Sequence, residues 1–185
     1  MQVFIPENVN SDHMPSKSNS YHHGDLAESL LEAVDHIASR FGLEAVTLRA
    51  CAKHVGVAPS AAFRHYADKR ALLTAFATRT QREMANDMEK AAANSGSEPF
   101  LAIGMAYVTF ALEQPAAFQV MGRSEMIYQD DADYREAAQK VFEMLGGELL
   151  AWSVVHGLAS FYIDGPLPNK GCLLYTSPSP RDSDQ

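Results

Sequence analysis

Residues 47–73 concentrate the side chains able to do chemistry: Thr47, Arg49, Lys53, His54, Ser60, Arg64, His65, Lys69 and Arg70, spaced among small and apolar residues. That chemistry is hydrogen bonding and charge pairing to an anionic polymer. Arg and Lys neutralise phosphates, hydroxyls donate to phosphate or base edges, and small residues let the backbone approach closely. Between Arg40 and Arg82 there are eight basic and two acidic residues, a net +6, so the rest of the chain carries −14 of the total −8. A basic island in an acidic chain is an electrostatic footprint for phosphate, although a solvated helical face would give the same count. The alternative chemistries find no support. There is no Gly-rich phosphate loop, Cys-x-x-Cys or His-Glu-x-x-His, and no Ser, Cys or Asp in a nucleophile context, so an enzyme, a metal site and a cofactor are not expected.

Helical elements must position these groups. Asp25 and Glu28 have capping-box spacing, and Leu30, Val34, Ile37 and Phe41 recur at three and four residues as the buried face of a first helix that Gly42 ends. Thr47 caps a second helix, with Leu48, Cys51, Ala52 and Val55 facing inward. Gly56 makes the turn, Val57 plugs the space between helices, and Pro59 opens a third helix. Asp68 caps a fourth, with Leu72, Leu73, Phe76 and Met84 inward, running to about Ala93.

Asn94-Ser95-Gly96-Ser97 reads as a linker. Helices are then expected from Ser97/Pro99 to Gln114, from Pro115 to about Gly122, from Asp131 to Leu145 and from Glu148 to Ile163, with an irregular connection at 123–130 and a break at Gly146-Gly147. No segment shows sustained strand alternation. The expected fold class is all-α: an N-terminal three-helix helix-turn-helix unit, 21–73, followed by a helical domain, 97–168. A polar arm, 1–20, precedes them and is expected to be disordered.

Cys51 sits at an apolar helical position, and two cysteines form no disulfide framework, which fits a reducing compartment. No apolar run reaches membrane-spanning length and no secretory signal is visible, so a cytoplasmic protein is expected. His22-His23 reads as a pair of polar contacts ahead of a metal site. Asp130-Asp131-Asp133 reads as the decoration of a helix start ahead of a cation site. Residues 172–182, Cys-Leu-Leu-Tyr-Thr-Ser-Pro-Ser-Pro-Arg-Asp, look like one reading frame of a transposon sequencing adapter. On that reading 172–185 is a non-native tail, the natural sequence stops by about Gly171, and the helical domain is truncated.

Several motifs in order resemble the tetracycline-repressor (TetR) family of bacterial regulators: Thr47-Leu48-Arg49, Ala52-Lys53-His54-Val55-Gly56-Val57, Phe63-Arg64-His65-Tyr66 and Asp68-Lys69-Arg70-Ala71-Leu72-Leu73. Tyr21-His22-His23-Gly24-Asp25-Leu26 and Trp152…His156-Gly157 are similar to a subgroup named for its Trp-His-Gly (WHG) sequence. The resemblance covers roughly 21–168. It implies a homodimer whose heads enter successive major grooves of a near-palindromic operator in double-stranded DNA, and a C-terminal half holding a small-molecule effector pocket and the dimer helices. Effector binding would spread the heads, as in a repressor.

On this basis the DNA-binding candidates are Thr47, Arg49, Pro59, Ser60, Ala61, Phe63, Arg64, His65 and Lys69. Ser60 and Ala61 lie at the start of the third helix, where base edges are read. Thr47, His65 and Lys69 would hold phosphates, which fix register without carrying sequence information. Tyr107, Phe110, Phe118, Met121, Phe142, Trp152 and His156 are either the lining of an effector pocket or plain core. His156, one turn from Trp152, is either a ligand contact or a satisfied core histidine.

The chain departs from the family pattern in three places. Ala58 stands where a capping hydroxyl is common, and Phe63 where a tyrosine often reaches phosphate. Only Gly146–Ala151 separates Leu145 from Trp152, where the family has a fuller helix and loop. That shortening, with the missing C-terminus, leaves a second reading: a helical ligand-binding or scaffolding protein that has lost DNA binding through a damaged dimer interface.

Overall fold

The computed structural model describes residues 25–165, and all structural statements concern those residues. The arm 1–20, the Tyr21–Gly24 motif with His22-His23, and the adapter-like tail 172–185 lie outside them. Eight helices follow in order: α1 Asp25–Phe41, α2 Leu48–Val55, α3 Pro59–His65, α4 Lys69–Asn94, α5 Pro99–Glu113, α6 Pro115–Gly122, α7 Ala132–Met144 and α8 Leu149–Ile163. Single 3-10 turns occupy Leu43–Ala45 and Ser124–Met126. There is no strand among the described residues, so the all-α expectation holds.

α4 organises the molecule. Its 26 residues extend about 39 Å at 1.5 Å per residue, long enough to belong to two cores. The first core gathers Leu30, Val34 and Ile37 of α1, Leu48, Cys51 and Ala52 of α2, Ala62 of α3, and Leu72, Leu73 and Phe76 of α4. Ala116, Ala117 and Val120 of α6 and Ile127 of the following connection close it from the other side. The second core joins Met84, Ala85 and Met88 of α4 to Tyr107, Phe110 and Ala111 of α5, Phe118 of α6, Val141 and Leu145 around α7, and Ala159 of α8. Gln114-Pro115 bends α5 against α6 by 105°. Pro115 has no N–H to continue the α5 ladder, yet it suits the first position of α6.

The boundaries follow local chemistry. Thr47 and Asp68 cap α2 and α4, and Asp131 caps α7 by accepting from the Tyr134 amide at 3.0 Å. The short α7–α8 connection closes through two left-handed glycines, Gly146 (φ 81) and Gly147 (φ 66). Their amides bond back to the Glu143 and Phe142 carbonyls at 2.9 and 3.1 Å.

One expectation is corrected. Phe41, placed on the buried face of α1, is 69% exposed. It is the final residue of α1, and the buried Leu43 of the next turn belongs to the first core there. Glu28 ion-pairs with Arg79 on α4, and the capping box expected between it and Asp25 lies partly outside the described residues. Its side chain is drawn across the helix interface by a guanidinium that also faces Glu83. No single helix is long and apolar enough to cross a membrane.

Candidate nucleic-acid interface

The unit formed by α2, Gly56 and α3 is built by three local devices. Thr47 has an extended backbone (φ −142) and its Oγ1 accepts from the Ala50 amide at 3.0 Å, which starts α2. Gly56 ends α2 in the left-handed region, φ 82 and ψ 28, and the Val57 amide returns to the Ala52 carbonyl at 2.9 Å. A side chain would be strained in that conformation, so glycine is favoured there. Ala58 offers no side-chain cap to α3, but Pro59 at its first position removes one of the amides that would need one.

The first core fixes which side of α3 points outward. Ala62 is fully buried and Ala61 packs partly against the same core. Pro59, Ser60, Arg64 and His65 are exposed, and Phe63 stands 47% open to solvent. Thr47 and Arg49, at the start of α2, are exposed as well. Seven of the nine sequence-derived DNA candidates are therefore exposed, with two hydroxyls, two guanidiniums, an imidazole and an aromatic ring among them, while Ala61 and Lys69 are half-buried. The Thr47 oxygen accepts from Ala50, which leaves its hydroxyl hydrogen free to donate to an anion. His54 of α2 stacks on His36 of α1 with ring centroids 4.4 Å apart.

Lys69 differs from the others. Its ammonium donates to the Leu43 carbonyl at 2.9 Å, tying the start of α4 to the turn after α1. An ammonium has three N–H groups, so two remain for a phosphate. Asp68 caps α4 by accepting from the Ala71 amide at 2.8 Å and also accepts from the Tyr128 hydroxyl at 2.7 Å. The Ala71 amide first, and then the Tyr128 hydroxyl, hold its carboxyl below the usual carboxylate range. Cys51 lies fully inside the first core, and burial pushes its thiol up to about 11, so it acts as a small hydrophobe.

The candidate effector residues gather behind this head. His156 of α8 stacks on Trp152 at 4.6 Å and on Phe118 of α6 at 4.8 Å. Its Nδ1 shares a 2.9 Å hydrogen bond with the Tyr107 hydroxyl of α5. Burial lowers the imidazole pKa and raises that of Tyr107. Phe110 is buried in the same core and Met121 packs partly against it, while Phe142 is half-buried on α7. Tyr107, Phe118, Trp152 and His156 therefore touch one another as a packed aromatic cluster. The larger open spaces lie elsewhere. A polar cleft of about 490 Å³ runs between α1, α4 and the start of α7, lined by residues including Tyr66, Thr74, Arg79, Arg82 and Tyr128. An apolar groove of about 570 Å³ lies along α5 and α8, walled by Phe100, Leu101, Met105, Val154 and Leu158.

Residues 30–76, spanning most of α1 through the first turns of α4, match the family described as "Bacterial regulatory proteins, tetR family". This segment is similar to a TetR-family N-terminal domain. The match takes in the whole α2–Gly56–α3 unit and most of what α1 to α4 contribute to the first core, while Ala116, Ala117, Val120 and Ile127 lie beyond it.

The fold around the TetR domain also has counterparts among solved structures. A protein of unknown function from Rhodococcus sp. RHA1 is 24% identical over 78% of this chain and 86% of its own, with a TM-score of 0.67. A TetR family transcription regulator from Marinobacter aquaeolei VT8 is 16% identical, covering 75% of this chain and 83% of its own, TM-score 0.55. A TetR-family transcriptional regulator from Haemophilus influenzae Rd is 23% identical, covering 75% and 85%, TM-score 0.54. At these identities the likeness is one of fold: a TetR-like head followed by a helical body. No curated protein matches the chain in sequence.

Spacing and composition missed the seam between head and body. Arg70 binds the Ile127 carbonyl and the Tyr128 amide binds Thr74. The partners lie 57 and 54 residues apart, and no periodicity within one helix signals them.

Proposed function

We propose that the protein is a sequence-specific DNA-binding transcription regulator, acting as a repressor that a small-molecule effector releases. The observation that carries this reading is the open face of α3 in a TetR domain: Ser60 and Arg64 lie exposed beside basic α2, while Ala62 anchors the helix in the core. Thr47, Arg49, His65 and Lys69 hold phosphates. Pro59, Ser60, Ala61, Phe63 and Arg64 face the bases, with the Phe63 ring suited to apolar contact with a thymine methyl.

The reader is a homodimer on a near-palindromic operator, working in the bacterial cytoplasm. Support for a second copy comes from the apolar residues exposed on α8 and α5, among them Leu149, Leu150, Val154, Phe161, Phe100 and Leu101. A monomer rarely leaves so many large side chains in water without a partner. Head (21–73, with α4 continuing) and effector domain (97–168) meet through α4. The effector acts at the aromatic cluster around His156, which the ligand must part in order to enter. The Trp152…His156-Gly157 motif supports membership in the WHG subgroup.

Mobility-shift titration on duplexes selected from a random pool tests the reading. Binding should be specific and fall steeply with salt. Lys69→Ala should weaken binding to all sequences alike, and Ser60→Ala should change preference among them. Absent or salt-insensitive binding would favour a helical ligand-binding or scaffolding protein. A Ser60→Ala variant unchanged in both affinity and preference would show that α3 is turned the wrong way.

A further inference from the structure

Asp68, Lys69 and Arg70 open α4 and sit in the basic island, where all would be read as facing DNA. The structure gives each a different partner. Asp68 caps the helix, Lys69 reaches the Leu43 carbonyl of the head, and Arg70 reaches the body. The Arg70 Nε and Nη2 both donate to the Ile127 carbonyl, at 3.1 and 2.8 Å, and its guanidinium lies 4.5 Å over the Tyr128 ring. The Tyr128 hydroxyl donates to the second Asp68 oxygen at 2.7 Å. The Tyr128 amide donates to Thr74 Oγ1 at 2.8 Å, and that hydroxyl in turn donates to the Arg70 carbonyl at 2.8 Å. These bonds close a ring. Two consecutive residues of the 123–130 connection are bound to the Asp68 cap of α4 and to Arg70 and Thr74 in its first two turns.

The ring sits where it has leverage. Only Tyr66, Ala67 and Asp68 separate the end of α3 from the start of α4, so the first turn of α4 sets where α3 points. On the other side, Ile127 is 1% exposed and anchored in the first core with α6 residues Ala116, Ala117 and Val120. A shift of the connection must move the α4 start or break the ring, because a bidentate guanidinium stacked on an aromatic face tolerates little sliding.

We propose that Arg70 and Tyr128 are positioning residues for DNA binding: they form the joint through which the body sets the angle of the reading head, and they do not touch DNA. This rests on the DNA-binding reading above and adds how that site is controlled. Charge on Arg70 is not what matters; its planar fork is. Arg70→Lys keeps the charge and loses the fork.

The experiment uses the full chain, with the wild-type-selected duplex as probe. DNA affinity of wild type, Arg70→Ala, Arg70→Lys and Tyr128→Phe is measured across salt concentrations, with amide hydrogen exchange on the free proteins. Both Arg70 variants should bind about five-fold more weakly or worse, with the wild-type salt slope. Tyr128→Phe, which loses only the Asp68 bond, should bind less weakly than they do. Exchange should rise at the Tyr128 amide in both Arg70 variants. A salt slope lowered by about one in Arg70→Ala, with Arg70→Lys restoring affinity, would make Arg70 a phosphate contact and overturn the proposal. So would unchanged affinity and exchange. If the wild-type protein selects no duplex, the DNA-binding reading fails. The joint is then judged on exchange alone: faster exchange at Tyr128 and through α2–α3 in Arg70→Ala sustains the coupling, and unchanged exchange refutes it.

Discussion

Replacing Gly56 by alanine isolates the cost of the turn that aims α3. A Cβ built at Gly56 meets no atom within 4 Å, so a collision contributes nothing. What remains is the backbone: φ 82 and ψ 28 place the residue in the left-handed region, which costs an alanine roughly 1–2 kcal/mol. Alanine also narrows the unfolded ensemble relative to glycine, returning about 0.4–1 kcal/mol. The net expectation is a loss of about 1 kcal/mol, or a fall in Tm of about 2–4 °C for a chain of this size. Urea unfolding followed by circular dichroism should show the midpoint falling at constant slope. Gly56→Asn should lose less, because asparagine tolerates this conformation, and Gly56→Val more, because a β-branched residue does not. A loss above about 3 kcal/mol for alanine would mean a steric clash that the open surroundings exclude. No loss in any of the three variants would mean that the turn is not left-handed and that α3 is misplaced relative to α2.

Two further outcomes follow from buried groups. Cys51, enclosed in the first core with its thiol pushed up to about 11, should resist iodoacetamide in the native protein and react only after unfolding, read by mass spectrometry of its peptide; rapid native alkylation would show that the core opens. His156 is held below its ordinary 6.5 by burial, so the unfolded chain takes up the proton first as pH falls. Its contribution to stability is therefore complete above about 6.5 and lost as pH drops toward the folded value. The Tm difference between wild type and His156→Gln should shrink from pH 7.5 to pH 5.5; a pH-independent difference would remove His156 from the acid response.

The helices, the caps at Thr47, Asp68 and Asp131, the glycine turn and the breaks at Pro115 and Gly146-Gly147 were legible because each is a local event. A cap involves residues three apart, an amphipathic face residues three or four apart, and a left-handed turn one glycine. Which alanine anchors α3 was not legible: Ala61 and Ala62 are both small and apolar, and only packing against α1, α2 and α4 buries Ala62. Phe41 shows the limit of this logic: its spacing was right, but burial depends on the neighbours packing supplies, and Leu43 of the next turn enters the core instead.

Sequence alone determined the element order, the charge island and the helix proposed to read DNA. Tertiary structure decided which of those cations are free for DNA. Arg64 and Lys69 look alike in the sequence, yet Arg64 is exposed, while half-buried Lys69 gives one of its three N–H groups to Leu43 and keeps two. Arg70, equally basic, is spent on a carbonyl 57 residues away. A hydrogen bond between distant segments depends on how whole helices pack, and packing is a property of volumes and contacts summed over the chain, which no local spacing encodes.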